Sequence, residues 1–186
     1  MTRLLYPIAP IPQAPDKTAF SIAETGEAVT FGDLEASANR AAHLFRACGL
    51  KTGDHIVLLA ENCRQFLEIC FAADRAGLYY TAISTHASAE EAAYITRDCG
   101  ASLCIVSEAK SGIGEHLRRA LPDLAHRYMI GQPADGFLSW DEAATGHPET
   151  RIHDERQGLD MLYSSGTTGR PKGIRWQQPD ETPGQE

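Results

Sequence analysis

Long apolar runs are missing from this 186-residue chain; none approaches the ~18 residues that a membrane-spanning helix needs. The opening stretch, Met1–Pro10, is interrupted by Pro7 and Pro10, so it lacks the apolar core of a secretory signal. No CxxC pair occurs. The 5 cysteines (Cys48, Cys63, Cys70, Cys99 and Cys104) are odd in number and sit mostly in apolar stretches. Free cysteine in such places behaves as a small hydrophobe. The pattern predicts a reducing, cytoplasmic setting with neither disulfides nor a zinc site. Excess basic charge is missing too: 17 Lys and Arg face 25 Asp and Glu, for a formal net charge of -8. That balance argues against nucleic-acid partners and anionic membranes, and leaves room for a local basic site.

Several catalytic signatures are also absent. The 7 histidines are scattered with no HxxxH or HExxH spacing, and are read as surface or structural residues. No G-x-S-x-G nucleophile elbow occurs. Gly112-Ile113-Gly114 fails as a dinucleotide fingerprint, because the third glycine would fall on Leu117; it reads as a turn leading into a helix. Glu90-Glu91 reads as first-turn helix charge rather than an acid/base pair. Trp140 and Trp176 read as packing residues.

What remains is an ordinary globular composition, 42% hydrophobic and 23% charged. Thr18–Glu24 and Glu27–Thr30 flank Thr25-Gly26 as a hairpin would. Leu34, Ala38, Ala41, Ala42, Phe45 and Cys48 then share one helical face, with Thr30 placed to cap the helix and Gly49 to end it. His55–Ala60 is a short strand. Asn62 is placed to cap a helix that Gly77 closes. Leu78–Ile83 is a strand, and Ser88 with Glu91 forms a capping box for a helix ended by Gly100. Ser102–Ser107 and Arg127–Ile130 are strands around a helix at Gly114–Leu121; a short helix at Ser139–Ala144 follows, then a strand at Leu159–Tyr163. Strands alternating with helices predict an α/β fold with a mostly parallel sheet and flanking helices. Residues 131–157, with many Gly, Pro, His and acidic positions, suggest a boundary: a first α/β subdomain at 1–157 and the start of a second at 158–186.

The most specific segment follows that last strand: Ser164-Ser165-Gly166-Thr167-Thr168-Gly169-Arg170-Pro171-Lys172-Gly173. Glycines let successive N–H groups turn into one concavity that attracts anions. Serine and threonine hydroxyls add donors to phosphate oxygens and can ligate magnesium. Lys172 supplies a mobile positive charge, Arg170 and Arg175 raise the local potential, and Pro171 stiffens the approach. A strand feeding such a loop predicts phosphates at the sheet's carboxyl edge. A plain Ser/Thr/Gly linker has a similar composition, but does not need a fixed Pro-Lys-Gly order behind a strand. The loop is not a Walker A motif, since Gly173, not Ser or Thr, follows Lys172.

Tyr163–Gly173 resembles the phosphate-binding loop of the adenylate-forming enzymes, which include acyl-CoA synthetases, peptide-synthetase adenylation domains and luciferases. Thr30-Phe31-Gly32-Asp33-Leu34, Gly53–Leu59 and Ala76–Ile83 also resemble segments of that family, with Ala82 where proline is common. The resemblance implies ATP, Mg2+ and CoA as cofactors and a small-molecule carboxylic acid as substrate. It implies that Ser164, Ser165, Thr167 and Thr168, with the N–H groups around Gly166 and Gly169, hold the β- and γ-phosphates. By the same resemblance Lys172 neutralises the leaving pyrophosphate and Ser164 is a candidate magnesium ligand. The family's aromatic-Gly-x-Thr-Glu segment, ribose aspartate and distal lysine have no counterpart here. The expectation is therefore the N-terminal portion of an acyl-CoA synthetase, of the kind used in fatty acid metabolism and inactive by itself. A non-catalytic α/β phosphate- or nucleotide-binding module is the alternative.

Overall fold

The structure is a computed structural model, and it describes residues 14–164 and 170–180. Strands β1 (Thr18–Ser21) and β2 (Ala28–Thr30) form an antiparallel hairpin. Thr30 then caps α1 (Phe31–Ala47) through a full capping box with Asp33, which satisfies N–H groups that a helix start leaves open. The remaining helices are α2 (Arg64–Arg75), α3 (Ala89–Asp98), α4 (Ser111–Ala120) and α5 (Trp140–Thr145). They alternate with β3 (His55–Leu59), β4 (Tyr79–Ala82), β5 (Leu103–Ser107), β6 (His126–Ile130), β7 (Leu138–Ser139) and β8 (Leu159–Asp160). These strands make one parallel six-stranded sheet in the order β7-β6-β5-β3-β4-β8.

Both faces of the sheet are buried, which explains why β3 and β5 are apolar at almost every position. Ile56, Leu58, Leu103 and Ile105 pack toward the face that carries Phe45, Ile69 and Trp140 from α1, α2 and α5. Val57, Leu59, Cys104 and Val106 pack toward Ala92, Ile95 and Leu117 of α3 and α4. The α/β alternation is as the periodicity predicts, with three differences. The N-cap of α2 is Cys63, not Asn62, and makes no side-chain cap bond. The chain leaving β3 first directs Glu61 to Ser107 and Lys110, which delays the helix. A 3-10 turn at Glu108–Lys110 lets α4 start at Ser111, so Gly112-Ile113-Gly114 lies inside its first turns.

The third difference concerns the strand expected at Leu159–Tyr163. It is two pieces: β8 stays in the sheet, while β9 (Leu162–Ser164) leaves it and pairs with β10 (Lys172–Ile174) as a separate antiparallel hairpin. Buried Met161 makes the break. Its N–H donates to the Tyr80 carbonyl at 2.8 Å and its carbonyl accepts from Thr81 Oγ1 at 2.9 Å, so both backbone groups stay anchored to β4 as the chain turns out of the sheet.

Candidate functional site

The β9–β10 hairpin carries the phosphate-loop sequence, and its register places the predicted residues. Lys172 lies directly opposite Ser164, Gly173 opposite Tyr163, and Ile174 opposite Leu162. Directly opposed residues share a face of an antiparallel pair, and alternate pairs point to opposite faces. Ser164 and Lys172 therefore stand side by side on the exposed outer face, while Tyr163 and Gly173 face inward. Among the described residues Lys172 has no ion-pair partner, so its ammonium is available to an anion. Ser165, Gly166, Thr167, Thr168 and Gly169 lie outside the described residues.

Three contacts fix the hairpin, and each uses a partner far away in sequence. Tyr163 Oη donates to Asp98 Oδ2 at 2.6 Å, at the C-terminal end of α3. Burial, and then the hydrogen bond that Asp98 accepts from it, push the Tyr163 phenol well above its ordinary pKa, so it stays a donor. Arg170 places its guanidinium 5.7 Å from the Tyr94 ring centre, one turn earlier on α3. Arg175 stacks 4.0 Å over Tyr79, whose Oη donates to the Trp176 carbonyl at 2.7 Å. Two of the local cations are thus committed to aromatic faces, and the third, Lys172, is not. The hairpin follows directly on the C-terminal end of β8, and its arms rest on α3 and on β4 after the turn at Met161 takes β9 out of the six-stranded sheet.

Gly173 is required by close approach. A Cβ there would meet Met161 Cε and lie 2.9 Å from Tyr163 Cζ, so the inward Tyr163 ring packs across the bare backbone. Sequence reading missed Asp98 and Tyr94 as supports of the loop. The signal available was weak: two polar-tipped residues one turn apart on α3, with nothing to mark their partners.

Among the described residues no group of three His, Cys, Asp or Glu is placed to hold a metal. All 5 cysteines are free, and burial pushes the Cys70, Cys99 and Cys104 thiols up to about 12, so none of these three is an activated nucleophile. Glu90 and Glu91 occupy the first turn of α3. Trp140 packs between Phe45 and Tyr128. Trp176 is the exception: it was expected to pack, and it is 70% exposed. Its backbone is held by Tyr79, which leaves the indole outside.

Comparison with known proteins follows the same lines. Residues 10–179 match the model of the family described as AMP-binding enzyme. A crotonobetaine/carnitine–CoA ligase of Proteus mirabilis is 31% identical over 154 residues, covering 78% of this chain and 30% of its own length. A 3-hydroxybenzoate–CoA ligase of an Aromatoleum species is 26% identical and is covered over 28% of its length. In structure, the anthranilate CoA ligase AuaEII in complex with anthranoyl-AMP superposes with a TM-score of 0.82 at 30% identity, covering 91% of this chain and 33% of that one. ATP-bound MatB from Rhodopseudomonas palustris superposes with a TM-score of 0.68 at 30% identity, covering 87% and 32%. The chain thus spans about a third of the length of these relatives.

Proposed function

Because the chain belongs to the AMP-binding enzyme family, we propose that it supplies the pyrophosphate-holding part of an acyl- or aryl-CoA ligase. In that reaction a substrate carboxylate oxygen attacks the α-phosphorus of ATP. The bond from the α-phosphorus to the bridging oxygen breaks, and pyrophosphate leaves with the electron pair. The acyl-adenylate then yields to the CoA thiol, which loses its proton and releases AMP. The reading is supported above all by the side-by-side placement of Ser164 and Lys172 at the base of the loop.

The chain's own residues do electrostatic work. Lys172 offers a positive charge where the leaving group gains negative charge, and the Ser164 hydroxyl donates to a phosphate oxygen. Ser165, Thr167, Thr168 and the N–H groups at Gly166 and Gly169 are assigned to the same phosphates, and Arg170, Pro171 and Gly173 shape the loop's return. Magnesium fits as an ion carried by the phosphates, with Ser164 as one oxygen ligand, because a hard cation keeps most of its shell in phosphate and water oxygens. Tyr163 and Gly173 hold the base of the loop still, which is where positioning enters. The carboxylic acid and CoA sites are assigned to the remaining length of the relatives, and the expected outcome for the 186-residue chain alone is no ATP–pyrophosphate exchange.

Titration calorimetry of the 186-residue chain with magnesium pyrophosphate tests this. Binding is expected, and Lys172→Ala is expected to weaken it about tenfold, the effect of losing one charge-assisted contact of ~1.4 kcal/mol. Equal affinity in the two proteins sinks the role of Lys172. ATP–pyrophosphate exchange by the purified chain with any carboxylic acid sinks the dependence on further parts.

A further inference from the structure

The two arginines that lie on aromatic rings are held unequally. Arg175 sits 4.0 Å over buried Tyr79 and also donates to the Gly53 carbonyl at 3.4 Å, so two contacts with the body fix it. Arg170 is exposed, and its guanidinium lies 5.7 Å from the Tyr94 ring centre, near the ~6 Å limit at which a ring still attracts a cation. Among the described residues it has no carboxylate partner. Tyr94 itself is fixed: it lies within α3, packs against the apolar cluster that includes Val106 and Leu117, and has its Oη 3.4 Å from Asp98 Oδ1. Arg170 also stands two residues before Lys172, so their Cα atoms are at most about 7 Å apart. Two long cationic side chains at that spacing can converge on one diphosphate, whose charge is spread over two phosphoryl groups.

We infer that Arg170 is a second phosphate-holding cation, kept on the Tyr94 ring until a polyphosphate draws it off, so that the ring face and the ligand compete for it. The inference rests on the proposed function and deepens it: Arg170 contacts the anion as well as shaping the loop's return. The balance favours the anion. An exposed cation–π contact is a weak tie, whereas a guanidinium–phosphate pair is charge-assisted and can be bidentate. One guanidinium cannot serve both partners at once. Whatever the ring contact contributes to the free protein is therefore subtracted from polyphosphate binding. A ring that only anchored the loop has the opposite effect, since its loss weakens binding. The two roles differ in sign, which makes them separable by experiment.

Calorimetry with magnesium pyrophosphate on the 186-residue chain reads that sign. Tyr94→Leu is expected to tighten binding about two- to fivefold, the range of an exposed cation–π contact. Tyr94→Phe keeps the ring face and is expected to stay at the parent affinity, while Arg170→Ala is expected to weaken binding about threefold or more. In the Arg170→Ala background, Tyr94→Leu is expected to change nothing, because the competition has lost its object. A second readout leaves the ring intact. On adding magnesium pyrophosphate to the parent, the Tyr94 ring resonances are expected to move toward those of the free Arg170→Ala protein. Weaker or unchanged binding by Tyr94→Leu, tightening that persists without Arg170, or an Arg170→Ala affinity equal to the parent's overturns the inference. Ring resonances that ignore the ligand overturn it too, whether or not Tyr94→Leu folds. Binding that needs Lys172 but not Arg170 leaves the proposed function standing and removes only this inference. Binding that needs Arg170 but not Lys172 does the reverse.

Discussion

Tyr163 shows how the proposed phosphate loop is anchored from the inward face of its hairpin. Its hydroxyl reaches a carboxylate on another element, and its ring fills the space left by Gly173. A hydrogen bond to an ionised acceptor contributes about 1.5–3 kcal/mol when shielded, and toward the lower end at a partly exposed site such as this. The contact therefore biases the loop's position without deciding whether the chain folds. Tyr163→Phe and Asp98→Asn are each expected to weaken magnesium pyrophosphate binding by roughly three- to tenfold, at most ~1.4 kcal/mol. The double substitution is expected to be no worse than the stronger single one, since both remove the same bond. Calorimetry on the four proteins checks this, and strictly additive losses would show that the two residues act separately.

At the scale of elements, glycine and capping residues carried most of the information. Gly77 ends α2 with a φ of 66°, and Thr30 and Ser88 cap α1 and α3 through bonds to Asp33 and Glu91 N–H groups. These signals are local, so a sequence displays them openly. The helix face from Leu34 to Phe45 and the apolar strands β3 and β5 were legible for the same reason. The break at Met161 was not, because it depends on Tyr80 and Thr81, about eighty residues earlier, holding the N–H and the carbonyl of that one residue. The same limit hid Asp98 from Tyr163. The loop itself was legible as a motif, but its outward-facing Ser164–Lys172 pair needed the β9–β10 register. That register leans on Gly173. Gly173→Ala is expected to force Tyr163 and Met161 apart and to cost the hairpin about 1–3 kcal/mol, as overpacking does. Hydrogen exchange should show β9 and β10 amides losing protection while β3 and β5 amides keep theirs. Loss of protection in both regions together would mean that the hairpin and the sheet open as one unit.

Across the whole molecule, one buried histidine joins the centre of the sheet to the hairpin. His55 starts β3, stacks against Tyr79 and shares a 2.8 Å hydrogen bond with Thr81 Oγ1, which in turn donates to the Met161 carbonyl at the exit of β8. Burial, and then the nearby Arg175 charge, lower its pKa from 6.5 to about 4. The unfolded chain therefore binds a proton between these values that the folded chain refuses. Stability from this residue is fully present above about pH 6.5 and is lost as pH falls toward 4, with a ceiling of ~3 kcal/mol. Glu68 and Glu155 oppose it: burial raises their carboxyl pKa values, so each favours the fold more as pH falls. Lowered carboxylates at Asp33 and Glu61 add to the acid loss at the lower end of the histidine window and below it. The net slope is a mixture, so the decisive quantity is a difference between two proteins. Urea unfolding from pH 7.5 to 4 is expected to show the parent chain losing up to ~3 kcal/mol more than His55→Gln, whose side chain cannot take up a proton in this range. Parallel curves for the two would mean that His55 is protonated in the fold as readily as outside it. The stack on Tyr79 and the bond to Thr81 would then have to tolerate the charge.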